Sequence, residues 1–252
     1  MTTLAVVQVV AVALFLAIGS WRPRVTGDLL HRDLWLNLAT GAFLFVIRVT
    51  AIAWLTQHVS VGLVDLQALP SVVSFAICFL GLDFLRYAVH WADHRVPFLW
   101  SFHRVHHSSE RLDATSGLRM HLVDFLQLSL LPIVLFSVVL DTSGVAAWVI
   151  PAVLGVAMVS DAWQHANIRI DARQPLFRAW NAVLNNPHFH SWHHVRDHSL
   201  GHGNYGQTLV VWDRLFGTAV DRDTSPESFG LSSDDALVRT TVGLQLLRRG
   251  EL

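Results

Sequence analysis

Apolar residues in this chain gather into long runs rather than alternating or amphipathic patterns, and the polar residues collect between the runs. Residues 4–19 are apolar apart from Gln8, and residues 34–55 are interrupted by Asn37 and Arg48. A third run, 67–90, carries Asp83 and Arg86 near its end. Runs 122–140 and 145–163 predict a helical hairpin turned by Asp141, Thr142, Ser143 and Gly144, with Pro132 and Pro151 inside its arms. A spanning helix needs about 20 apolar residues. The first run is slightly short of that, and the two hairpin arms fit either full spans or re-entrant segments. A signal peptide competes for the first run, but no basic residue precedes it, which favours a retained helix.

Arginine placement gives an orientation. Arg22, Arg24 and Arg32 follow the first run, whereas the segment 56–66 has no Arg. Arg95, Arg104, Arg111 and Arg119 follow the third run, and Arg169, Arg173 and Arg178 follow the hairpin. The positive-inside rule then places the first loop, the 91–121 segment and the C-terminal part in the cytoplasm, with the N-terminus outside. Past residue 221 the chain turns polar and acidic. The expected organisation is one integral-membrane domain over 1–220 and a soluble, partly flexible tail over 221–252.

Composition narrows the classes. Hydrophobic residues make up 52% of the 252 and charged residues 15%, with a net charge of −1. That excludes a disordered chain and gives no basic excess for nucleic acid. Cys78 is the single cysteine, so neither a disulfide scaffold nor a thiolate metal site is available.

Histidine is the unusual entry in this composition. Eleven of the 15 His fall between positions 90 and 194. His90 and His94 are spaced i, i+4 in HWADH. His103, His106 and His107 stand in HRVHH, and His190, His193 and His194 repeat that spacing in HSWHH. His165 ends DAWQH. On a helix, residues three and four apart share a face, so each cluster can aim two imidazoles at one ion, and the third, adjacent imidazole of HxxHH can reach a second ion nearby. Imidazole suits Zn, Cu, Fe and Ni. Nine imidazoles are too many for one ion and about right for two. The lone His31, His58, His198 and His202 read as ordinary surface or core residues, and His188 is out of phase with its neighbours. His121 stands open between a residue behind a ligand and one facing substrate.

With those boxes in order, the chain resembles the fatty acid hydroxylase / sterol desaturase superfamily. FLWSFHRVHHSSE (98–110), GLRMH (117–121), QHANI (164–168), NPHFHSWHH (186–194) and GNYGQTLVVWDRLFGT (203–218) are similar to that family's conserved stretches. The resemblance covers roughly residues 80 to 220. It implies an all-α, multi-pass transmembrane bundle with a cytosolic helical cap, two irons, and His90, His94, His103, His106, His107, His165, His190, His193 and His194 as metal ligands. Two departures stand out. Leu122 follows GLRMH where the family usually has Pro, and Asp161 stands where several members carry a histidine four before His165. Asp161 could ligate, could orient His165 from behind, or could mean one ligand fewer.

The expected activity is O2-dependent hydroxylation or desaturation of a lipid at an unactivated C–H bond. Electrons would come from a separate reductase or a ferredoxin- or cytochrome-type donor. Asp83, Asp93, Asp124 and Asp161 are candidates for offsetting metal charge or fixing imidazole tautomers. Asp83 and Arg86 read equally as an i, i+3 ion pair. Trp91, Trp100, Trp163, Trp180 and Trp192 suit a membrane boundary. A zinc-dependent membrane hydrolase is the alternative; it needs a general-base Glu near the boxes, and only Glu110 is at hand. A non-catalytic metal-binding membrane protein is a further alternative.

Overall fold

The computed structural model describes residues 2–47 and 61–249. Residues 48–55 of run 34–55, with Arg48, and His58 lie outside the described residues. The chain is helical, with α1 (Thr2–Trp21), α2 (Arg32–Ile47), α3 (Ser71–Arg95), α4 (Pro97–His107), α5 (Leu122–Ile133) and α6 (Val149–His165). Short helices follow: α7 (Pro175–Asn181), α8 (Pro187–His193), α9 (His198–Gly201), α10 (Val211–Phe216) and α11 (Thr241–Gln245). Two-residue strands β1 (Val64–Asp65) and β2 (Leu140–Asp141) pair in parallel.

Among the described residues, three helices are long and apolar enough to cross a membrane: Thr3–Trp21, Ser71–Arg95 and Leu122–Val139. The last is α5 continued by a π-helical turn over Val134–Val139, entered just after Pro132. Proline removes one intrahelical hydrogen bond, and a widened turn absorbs the mismatch. Pro151 lies inside its helix, as expected, but near the start. It sits in the first turn of α6, where a missing N–H leaves nothing unpaired. The predicted hairpin arms meet in a cluster of Leu135, Phe136, Val149 and Val153 with Cys78 and Leu82 of α3. α1 packs on α6 with the small residues Ala11 and Ala162 in contact, and Ala114 of the segment after α4 joins their cluster.

Pro97 sets the geometry of the site. A residue before proline avoids the helical region. Val96 is accordingly extended (φ −101°, ψ 112°), and Pro97 then opens α4 at a position that suits it. The chain turns there, and α4 packs back on α3.

The arginine-bearing loops converge on one end of the bundle. Arg169 N donates to the Arg22 carbonyl and Arg24 N to the Asn167 carbonyl. Arg119 is fully buried and pairs with Asp33 (2.6 Å), while Arg239 reaches both Asp33 and Glu110. The tail departs from expectation. Leu231, Leu237 and Leu244 are buried with Leu36 of α2 and Val105 of α4, so residues 229–244 are a packed part of the protein. The tail's acidic residues mask three well-placed leucines in any reading by average polarity.

Candidate metal centre

Four helices bring nine histidines to one buried place. α3 supplies His90 and His94; α4 supplies His103, His106 and His107; α6 ends on His165; α8 supplies His190 and His193, with His194 at its C-terminal end. α8 starts where it does because the Asn186 side chain accepts from the N–H groups of His188 and Phe189, ahead of Pro187. Gly117 lies under His165: a Cβ there would stand 3.3 Å from His165 Nδ1 and would crowd the ring.

The nine fall into two groups. His90, His94, His103, His107 and His193 form one, and His106, His165, His190 and His194 form the other. Within each group the candidate ligand atoms lie within 4.8 Å of one another. Apart from His94, every member is buried. The groups adjoin, with His107 stacked on His194.

Hydrogen bonding fixes which nitrogen carries the proton. A carbonyl only accepts, so His106 Nδ1–H donates to the Arg119 carbonyl (3.2 Å), His165 Nδ1–H to the Asp161 carbonyl (2.7 Å) and His193 Nδ1–H to the Gly203 carbonyl (2.9 Å). Their Nε2 atoms are therefore lone pairs. His103 Nδ1 lies 3.1 Å from Asp124 Oδ2 and 3.9 Å from Asp93 Oδ2, and Gln127 donates to Asp93. His90 Nδ1 lies 2.8 Å from the Tyr205 carbonyl.

A fit test for a metal follows from these lone pairs. His106 Nε2 and His165 Nε2 stand 3.1 Å apart with no proton between them. His165 to His190 and His190 to His194 are also 3.1 Å, Nε2 to Nε2. Bare lone pairs repel at that distance. Nitrogens bound at about 2.0–2.1 Å to one ion lie about 3.0–3.4 Å apart. In the other group, buried His90, His103 and His193 present Nε2 atoms that accept or donate no hydrogen bond among the described residues. Burial first, then neighbouring imidazoles, pushes His106, His107, His190, His193 and His194 well below the ordinary histidine pKa, which keeps them neutral and able to ligate.

The remaining candidates lie outside both groups. The Asp161 carboxylate is turned to Arg86 (2.5 Å), and its main-chain carbonyl, not its side chain, holds His165. Asp83 and Arg86 do not pair with each other. Asp83 accepts from Thr208 N, Leu209 N and Trp212 Nε1. His121 caps α5, accepting from Val123 N and donating from Nε2 to the Gln245 carbonyl. His188 donates to the Arg222 carbonyl, and His31 pairs with Asp113. Glu110 is engaged by Arg239 and lies 3.7 Å from Arg196. Trp91 and Trp180 are exposed, whereas Trp192 is buried and donates to the Thr224 carbonyl. Sequence reasoning missed Gln207. Its Oε1 accepts from Arg86 and Gln164, and its Nε2 lies 2.8 Å from His90 Nδ1. The GNYGQ stretch marked the place without revealing the role.

Comparison with known proteins adds the family. The fatty acid hydroxylase model matches residues 75–218, which contain all nine histidines. The chain is 33% identical over 150 residues to an alkylglycerol monooxygenase of Xenopus tropicalis, covering 57% of this chain and 30% of that protein. It is 32% identical over 156 residues to the ornithine lipid hydroxylase OlsE of Rhizobium tropici, covering 60% and 42%. It is 31% identical over 157 residues to the fatty acid hydroxylase vlmA of a Lecanicillium species, covering 58% and 41%. The matched region thus spans less than half the length of each of these relatives. No solved structure matches the chain.

Proposed function

Because the chain belongs to the fatty acid hydroxylase family, we propose that it is a membrane-bound di-iron oxygenase that uses O2 to hydroxylate a lipid at an unactivated C–H bond. The observation that carries this reading is the division of nine imidazoles into adjoining groups of five and four. His90, His94, His103, His107 and His193 would hold one ion. His106, His165, His190 and His194 would hold the other. When bound, the iron pair supplies O2 activation and removal of hydrogen from carbon, with electrons from a separate reductase or a ferredoxin- or cytochrome-type donor.

The chain's own residues set the conditions. The carbonyls of Arg119, Asp161 and Gly203 keep a proton on Nδ1 of His106, His165 and His193, and so leave Nε2 free to ligate. Asp124 does the same for His103 and adds a negative charge behind an otherwise neutral ligand set. Burial excludes bulk water from the groups. The relatives named above are a monooxygenase and two hydroxylases, which favours hydroxylation over desaturation, and their names point to lipid substrates.

The histidine end is the cytoplasmic face in this reading. Arg22, Arg24, Arg104, Arg119 and Arg169 all lie at that end, as the positive-inside rule favours. The zinc hydrolase reading loses support because Glu110 is tied up by Arg239, away from both groups.

The test is purification in detergent after growth in iron, followed by metal analysis and turnover with a lipid extract under 18O2 and a chemical reductant. Two irons per chain and one 18O atom in the product are expected. One iron or none, or oxygen drawn from water, would sink the proposal.

A further inference from the structure

Asp83 is a carboxylate in the middle of an apolar span. α3 has 25 residues, about 37 Å at 1.5 Å per residue, against a hydrocarbon core of about 30 Å. Asp83 stands about 18 Å from the start of α3 by the same rise. It is 2% exposed. A carboxylate at such depth is costly unless it is fully satisfied. Its partners are Thr208 N (3.0 Å), Leu209 N (3.2 Å) and Trp212 Nε1 (2.9 Å), all from one distant segment. That segment is irregular before α10, and non-helical backbone at membrane depth is tolerated only when the protein satisfies its polar groups. Asp213 completes the set by accepting from Tyr205 N and Gly206 N.

The outer face of the segment matches the lipid face of α3. Val73, Ile77, Leu80 and Phe84 are exposed at helical spacing on α3. Phe84 packs on Trp212 and Phe216, with ring centroids 5.1 and 6.1 Å apart. Val211, Leu215 and Phe216 then continue the exposed apolar surface, Leu215 at 67%. Exposed Trp91 lies seven residues past Phe84, about 10 Å nearer the histidine end. That is the level at which tryptophan marks a membrane boundary. Arg214 turns the other way, to Asp221 and the Asn181 carbonyl.

We propose that residues 208–216 dip into the membrane. α10 lies below the interface with Val211, Leu215 and Phe216 against lipid acyl chains, and Asp83 is the pin that holds it there. The proposal rests on α3 crossing the membrane. It gives a lipid a protein surface to follow toward the site, because residues 203–207, just ahead of it in the chain, meet His193 through the Gly203 carbonyl and His90 through the Tyr205 carbonyl and Gln207.

Nitroxide accessibility tests this in the full chain, reconstituted in phosphatidylcholine vesicles. Leu215→Cys, Ile77→Cys and Asp223→Cys are each made in a Cys78→Ala background and spin-labelled. Power saturation then compares oxygen with a water-soluble nickel chelate. Leu215 is expected to match Ile77, favouring oxygen, while Asp223 favours nickel. If Leu215 matches Asp223 while Ile77 still favours oxygen, the dip is refuted and the membrane reading of α3 stands. If Ile77 also favours nickel, both fall. Adding Asp83→Asn should move the Leu215 ratio from the Ile77 value toward the Asp223 value. An unmoved ratio in a monodisperse sample would refute the pin.

Discussion

His107 and His194 lie ring over ring, with centroids 4.4 Å apart and 23° between their planes, although each belongs to a different histidine group. The groups therefore share a wall. His107 also stands 4.7 Å from His193, and His194 stands 4.7 Å from His106. Two ions held on either side of such a wall would sit close enough to act on one substrate. Each should still depend first on its own set. His106→Ala should lower metal content from two ions per chain to one or fewer, and His193→Ala should do the same from the other group. Both variants should insert normally and lose oxygenation. Elemental analysis beside far-UV circular dichroism checks this; two ions retained in either variant would remove that residue from the ligand set.

The carboxylate behind His103 gives a subtler expectation. Asp124 is 3% exposed and is the nearest charged group to His103 Nδ1. Asp124→Asn preserves shape and removes the charge. Groups that orient a ligating imidazole typically contribute about 10–100-fold to metal affinity. Competition against a chelator should show a loss of that size in one of two sites. An unchanged titration would make the Asp124 contact merely structural.

The histidine boxes were legible because helical spacing is local: i, i+3 and i, i+4 put imidazoles on one face before any tertiary structure is known. The division into five and four was not legible, because it depends on how α3, α4, α6 and α8 pack. HRVHH itself is split: His103 and His107 go to one group and His106 to the other. Asp161 could not be assigned for the same reason, since Arg86, its partner, lies 75 residues away. The tail was misjudged because averaging over its acidic residues hides Leu231, Leu237 and Leu244.

Arg119 links the stability of the fold to the site. Its guanidinium is fully buried and donates to Asp33 Oδ1 and Asn37 Oδ1, both at 2.6 Å, while its carbonyl holds His106. Breaking a buried ion pair costs about 3–5 kcal/mol when the other partner is left unpaired; Asp33 keeps Arg239 when Arg119 is lost, so the cost falls toward the lower end of that range. Arg119→Met should lower the unfolding midpoint in detergent by a matching amount, and Asp33→Asn should do nearly as much. A midpoint within error of the parent protein for Arg119→Met would mean that Arg239 alone satisfies Asp33.

The tail should reach the metal centre through one residue. Val105 is fully buried between His103 and His106 on α4, and its cluster is completed by Leu36, Leu231, Leu237 and Leu244. Leu244→Ala leaves a cavity there at a cost of about 2–5 kcal/mol. The histidines keep their own hydrogen bonds, so this variant should unfold earlier yet still bind two metal ions. Truncation after residue 228 removes three of the five cluster members, along with Arg239 from Asp33 and Gln245 from Leu122 N. α4 then loses the packing that fixes its rotation, and both groups take histidines from α4. The truncated chain should therefore lose both ions, not one. Full metal content in the truncated protein would show that α3 and α8 alone hold α4 in register.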